Sequence, residues 1–182
     1  MADFLSHLGK WVKLIKFEAE QYIPFDLSEV ERAIPRMQRL GSQYVRIMSY
    51  AVREGEDQLE EERFHRLREI TKRFLDAGIT PVHENCMNYG GMSWQHALKL
   101  LENVPGLKWV FDTANPVFNQ DRSKDGQPWQ DPWEFYQKVR EHIAYVHIKD
   151  CLEPSADNGG KEVYLYPGEG QGKVREILAD LQ

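Results

Sequence analysis

The feature that most constrains this chain is a regular alternation of two kinds of segment. Short apolar, β-branched or aromatic runs recur at Tyr44-Val-Arg-Ile-Met48, Ile79-Thr-Pro-Val-His83, Leu107-Lys-Trp-Val-Phe111, Ile143-Ala-Tyr-Val-His-Ile148 and Glu162-Val-Tyr-Leu-Tyr166. Most are nearly continuous apolar stretches, as expected of parallel strands covered on both faces. Between them lie stretches with apolar residues three and four apart. Residues 26–40 carry Leu27, Val30, Ile34, Met37 and Leu40, with Pro35 expected to kink the helix and Gly41 to end it. Residues 57–77 carry Leu59, Phe64, Leu67, Ile70, Phe74 and Leu75 ahead of Gly78. Ser93 precedes a third apolar stripe, Asp131-Pro132-Trp133-Glu134 is a strong helix start, and 173–181 form a last helix. Strands alternating with helices mean βαβ crossovers and a parallel sheet.

Composition narrows the function. The 182 residues carry 23 Lys+Arg against 29 Asp+Glu, a net charge of −6, with no basic run. A nucleic-acid backbone partner is therefore not expected. No apolar run approaches the length of a membrane span, and the N-terminus lacks the basic leader of a signal peptide. Two cysteines, Cys86 and Cys151, make neither a disulfide framework nor a metal knuckle. The expectation is a cytoplasmic protein.

The ends of the strands carry the chemistry. Val82-His83-Glu84-Asn85, Val110-Phe111-Asp112 and Tyr145-Val146-His147 stand about one βα unit apart. Successive parallel strands thus deliver Glu84, Asp112 and His147 to one face of the sheet, the active-site pattern of α/β barrels. Carboxylate and imidazole suit Mn²⁺, Co²⁺, Zn²⁺ or Mg²⁺. Taken singly, each carboxylate is as readily a helix cap or a solvent-facing group, and His147, between Val146 and Ile148, is more often a satisfied core histidine. The aromatic residues Trp94, Trp129, Trp133, Phe118 and Tyr89 lie in or beside the loops that follow these strands, where they either face a ligand or pack the loops onto the rim.

The chain also resembles the xylose isomerase-like superfamily of sugar phosphate isomerases and epimerases. The matching stretches are Ser6-His-Leu-Gly-Lys10, Leu40-Gly-Ser-Gln-Tyr-Val-Arg-Ile-Met-Ser-Tyr50, His83-Glu-Asn85, Phe111-Asp-Thr-Ala-Asn115, Val146-His-Ile-Lys-Asp150 and Pro167-Gly-Glu-Gly170, in family order and spacing. The resemblance implies a (β/α)8 TIM barrel whose bound Mn²⁺, Co²⁺ or Mg²⁺, with Zn²⁺ also within the donor set, is held by Glu84, Asp112 and His147. Glu84 matches the carboxylate that doubles as acid/base. Arg46 matches a position on the site floor, or else pairs with a neighbouring carboxylate. Asn115 stands where many sugar epimerases have a substrate-binding His. Lys149 and Asp150 follow the ligand His toward substrate, Glu169 sits in a Gly-Glu-Gly turn, and His7 lies in the initial loop.

The implied activity is isomerisation or epimerisation of a sugar or sugar phosphate by proton abstraction next to a carbonyl, through an enediolate. Two alternatives stand beside it. One is a dehydratase on the same scaffold, acting on a cyclic polyol or 3-dehydroshikimate. The other is a non-catalytic metal- or sugar-binding fragment. An endonuclease of the same superfamily is disfavoured by the −6 charge and 6 histidines. Family barrels have eight strands, and the last supplies a further Glu. Residues 1–182 are therefore expected to form a single, partial TIM-barrel domain, with the first one to two strands and the eighth absent. The favoured reading is a piece of a longer product; the others are completion by another chain or by self-association, and a reduced relative.

Overall fold

The computed structural model describes residues 27–49 and 60–182. The stretch Ser6–Lys10 with His7, the close of the expected second strand, Tyr50 and the start of the 57–77 helix lie outside the described residues.

Four parallel strands form one sheet in chain order. They are β1 (Tyr44–Arg46), β2 (Thr80–Glu84), β3 (Lys108–Asp112) and β4 (Ile143–His147). The connections carry α1 (Ser28–Leu40, ahead of β1), α2 (Glu60–Asp76), α3 (Trp94–Asn103), the short α4 (Asn115–Phe118) and α5 (Pro132–Val139). A hairpin of β5 (Asp150–Leu152) and β6 (Val163–Leu165) follows, then α6 (Val174–Asp180). The helix signals act as expected. Ser93 accepts the His96 N–H at 3.3 Å, Asp131 accepts the N–H groups of Trp133 and Glu134 at 2.8 and 3.0 Å, and Gly41 ends α1 in the left-handed region.

Pro35 lies inside α1, which runs from Ser28 to Leu40. One expectation changes. The 162–166 run is not a strand of the parallel sheet. It pairs antiparallel with Asp150–Leu152, and Val163 and Tyr164 are exposed. An isolated apolar run shows that a strand forms but not which partner it takes.

The sheet has two faces. Trp109 and Phe111 of β3 point toward the helices and pack with Phe64, Leu100, Phe135 and Tyr136 in the core. His83 joins that side, stacked on Trp109 at 5.0 Å; burial, helped by the Arg46 charge, pushes its pKa down to about 3, so it is a neutral core ring. The alternate positions Tyr44, Arg46, Val82, Glu84, Val110, Asp112, Tyr145 and His147 line the other face. That face is concave: the rings of Tyr44 on β1 and Tyr145 on β4 meet at 5.6 Å across two intervening strands. Three strand spacings of a flat sheet would part their backbones by about 14 Å, so the sheet curls as a barrel wall does.

Candidate functional site

The three residues read from the strand ends converge. One ligand atom each of Glu84, Asp112 and His147 lies within 4.8 Å of the other two. Their approach rests on a register irregularity. Trp109 pairs with Ile143, but Val110 pairs with Tyr145, so Ala144 is an extra residue on β4. The shift places His147 opposite Asp112 and on the concave face. Without it, Val146 would stand opposite Asp112 and His147 would face the helices.

Polar side chains extend the ladder past the strand ends and fix these positions. The Asn85 amide donates to the Asp112 carbonyl at 3.0 Å and accepts the Asp112 N–H at 2.7 Å. Thr113 does the same one strand on: its hydroxyl donates to the Lys149 carbonyl and accepts the Lys149 N–H at 3.0 Å. Neither residue was singled out as functional from the sequence. Their signal is adjacency: Asn85 directly follows Glu84, and Thr113 directly follows Asp112.

Asp112 is fully buried. Its Oδ1 accepts the N–H groups of Ala114 and Asn115 at 3.0 and 3.1 Å, as the cap reading expects, which leaves Oδ2 for other partners. Its Oδ2 faces Lys149 Nζ at 2.7 Å and His147 Nδ1 at 3.9 Å. Glu84 Oε1 accepts from the Asn115 amide at 3.1 Å. Glu84 Oε2 pairs with Arg46 and lies 3.4 Å from His147 Nδ1. Burial pushes the Glu84 carboxyl up, but His147, Arg46 and Lys149 together hold it below the usual carboxylate range. Burial lowers the Lys149 ammonium, and the Asp112 carboxylate more than reverses this. The Tyr145 hydroxyl is pushed up to about 12, by burial first and then by Glu84.

The set fits a divalent cation. Ligand atoms about 2.0–2.2 Å from one ion stand roughly 3–3.5 Å apart at tetrahedral or octahedral angles. The contacts of His147 Nδ1 with Glu84 at 3.4 Å and Asp112 at 3.9 Å lie close to that spacing. Two carboxylates and an imidazole are also the donors that such ions prefer.

The remaining sequence candidates fall in different places. Arg46 and Asn115 both stand on Glu84, so Arg46 makes the ion pair with a neighbouring carboxylate. Lys149 reaches Asp112. Asp150 instead directs both oxygens at backbone: Gly168 and Gly170 N–H at 2.8 and 3.0 Å on Oδ2, Gly172 and Cys151 N–H at 2.8 and 3.0 Å on Oδ1. Glu169 is exposed on that turn, outside the triad. Among the aromatic residues, Tyr89 is buried against Phe64, Trp133 stacks on Tyr136 at 5.5 Å, and Lys138 lies over the Trp94 ring at 5.0 Å. Phe118 and Trp129 line a hollow beside the site.

Several solved structures share this fold. A xylose isomerase-like TIM barrel protein from Mycobacterium smegmatis, in complex with magnesium, superposes with a TM-score of 0.64 at 20% identity over 84% of this chain and 54% of its own. The probable 3-DHS dehydratase of petrobactin synthesis from Bacillus anthracis gives 0.70 at 18% identity over 92% of this chain and 64% of its own. A D-tagatose 3-epimerase-like protein gives 0.64 at 21% over 98% and 71%. This chain thus spans about half the length of the first of these, and identities this low establish the fold alone. None of the curated proteins compared matches the chain. The sequence profile described as xylose isomerase-like TIM barrel matches residues 7–182. With the parallel curled sheet and the strand-end triad in place, the conclusion is that the chain belongs to the xylose isomerase-like TIM barrel family.

Proposed function

We propose that the chain forms the metal-binding part of an enzyme that moves a proton next to the carbonyl of a sugar or sugar phosphate, an isomerase or epimerase. The observation that carries the reading is the convergence of Glu84, Asp112 and His147 at the C-terminal ends of adjacent strands. Glu84, Asp112 and His147 Nδ1 would hold a divalent ion, Mn²⁺, Co²⁺, Mg²⁺ or Zn²⁺. When bound, such an ion polarises a carbonyl and an adjacent hydroxyl and so acidifies the intervening C–H.

The chain's own residues do the rest. Glu84, held ionised by His147, Arg46 and Lys149, accepts the proton. Asn115 fixes the carboxylate plane through Oε1. Asn85 and Thr113 keep β2, β3 and β4 from sliding past one another, which holds the donors in register. Lys149, paired with Asp112 and half exposed, would meet a substrate oxygen.

A second reading is a dehydratase on the same scaffold. It is supported by the likeness to the 3-DHS dehydratase and by Asn115 standing on Glu84 where sugar epimerases carry a His. Both readings share the metal test. Glu84→Gln and His147→Ala should each remove bound Mn²⁺ by elemental analysis; unchanged metal content in both sinks the site. Incubation with ketoses in D2O separates the two readings. Deuterium in a product of unchanged carbon skeleton marks isomerase or epimerase, and loss of water marks dehydratase.

A further inference from the structure

One hollow beside the triad has no role in that reaction. The loop after β2, residues 85–92, and the loop after α4, residues 119–130, enclose a cavity of about 260 Å³. Its walls include Met87, Asn88, Phe118, Asn119, Arg122 and Trp129. Gln130 crosses between the loops, donating to the Gly91 carbonyl at 2.7 Å, and the Arg122 N–H reaches the Met92 carbonyl at 3.0 Å. The hollow is therefore tied together before any ligand arrives.

Its polar groups have a definite sign. Arg122 has no carboxylate partner among the described residues, although Lys124 two residues on is paired with Asp121 and Glu134 at 3.2 and 3.4 Å. Asn119 is 7% exposed, and its Nδ2 is buried with no acceptor among the described residues. A buried amide donor without an acceptor is costly, and a ligand oxygen relieves that cost. An exposed guanidinium on the rim and a buried amide donor, in a hollow that Phe118 and Trp129 also line, match a planar or tetrahedral anion carried on a polyol. The donors meet the anion, and Trp129 and Phe118 cover apolar C–H faces.

The hollow also touches the triad's supports. Asn88 Nδ2 lies 2.6 Å from Cys86 Sγ, which lies 3.8 Å from the Arg46 guanidinium that holds Glu84. On the other wall the Asn119 N–H bonds to the carbonyl of Asn115, whose side chain holds Glu84 at 3.1 Å.

We infer that this hollow binds the anionic end, a phosphate or a carboxylate, of the substrate whose other end meets Glu84, Asp112 and His147. The inference rests on the function proposed above and narrows its substrate to acid-bearing polyols. Neutral sugars leave Arg122 unmatched.

The test is calorimetric titration of the Mn²⁺-loaded chain with D-ribulose 5-phosphate, D-glucuronate and neutral D-ribulose. At least one anion should bind about tenfold or more tighter than D-ribulose, and more weakly as NaCl is raised. The tighter anion identifies the headgroup. Arg122→Gln should erase this advantage while leaving D-ribulose binding as it was. Lys124→Gln, in the same loop, should leave all three unchanged. Equal binding of neutral and anionic probes, binding of none of them, or an equal loss of all three in Arg122→Gln overturns the inference. Metal content measured on the same samples keeps the two claims apart. Retained Mn²⁺ without anion preference defeats only the hollow, and absent Mn²⁺ in the unaltered chain defeats the metal site.

Discussion

Asp112 at the end of β3 and Asp150 at the start of β5 are 0% and 1% exposed, and both accept backbone N–H groups. They differ in what is left over. Asp150 gives both oxygens to four amides and gathers the Pro167–Gly172 turn around itself. The glycines there follow from that closeness: a Cβ on Gly170 would lie 2.4 Å from Asp150 Oδ1, and one on Gly172 2.8 Å from the Thr113 carbonyl. Asp112 gives one oxygen to the start of α4 and turns the other toward His147 and Lys149. A buried carboxylate saturated by backbone is scaffold. One that keeps an oxygen for an imidazole and an ammonium has an oxygen that the backbone does not use.

That contrast makes the largest prediction one of stability. Asp150→Ala strands four N–H groups in a buried turn and should cost about 3 kcal/mol in urea unfolding. Bound Mn²⁺ should survive in the folded fraction. A variant of normal stability that loses its metal would reverse the roles assigned to the two aspartates.

Asp112→Asn probes the other side. The amide oxygen still caps α4, so stability should stay within about 1 kcal/mol of the parent. Mn²⁺ affinity by calorimetry should nevertheless fall about a hundredfold, because a neutral amide replaces an anionic ligand. Retained affinity would show that Asp112, like Asp150, serves only the fold.

The smallest effect concerns Lys149, whose ammonium faces the same Asp112 oxygen that a metal would use. The side chain is 48% exposed, so it can swing away. Lys149→Met should tighten Mn²⁺ binding by about threefold at low ionic strength, and by less in high salt. Weaker binding in that variant would instead make Lys149 a support that orients Asp112.

Much of this was legible in the chain. The alternation of strands and helices, the Ser93 and Asp131 caps and the convergence of Glu84, Asp112 and His147 follow from local spacing and from which residues end each run. Asp150 looked like a site residue because it follows His147 in one motif. Its partners are backbone amides some twenty residues away, and backbone leaves no mark in sequence beyond the glycines that admit it. Arg122 and Asn119 were unremarkable in a long polar loop, since a hollow exists only when two loops are set against each other.

By itself, then, the sequence determined the βα order, the parallel sheet and the residue types at its C-terminal edge, because turn chemistry and hydrophobic periodicity are local. The grouping of His147 with Glu84 and Asp112 was readable from the strand ends; the tertiary structure decided how His147 comes to stand opposite Asp112. Strand side chains alternate, so one residue of register moves a side chain to the other face. The extra residue at Ala144 that sets this register is visible only in how β3 and β4 pair. The pairing of β6 with β5 was decided in the same way, by which partner lay within reach rather than by the run's own composition.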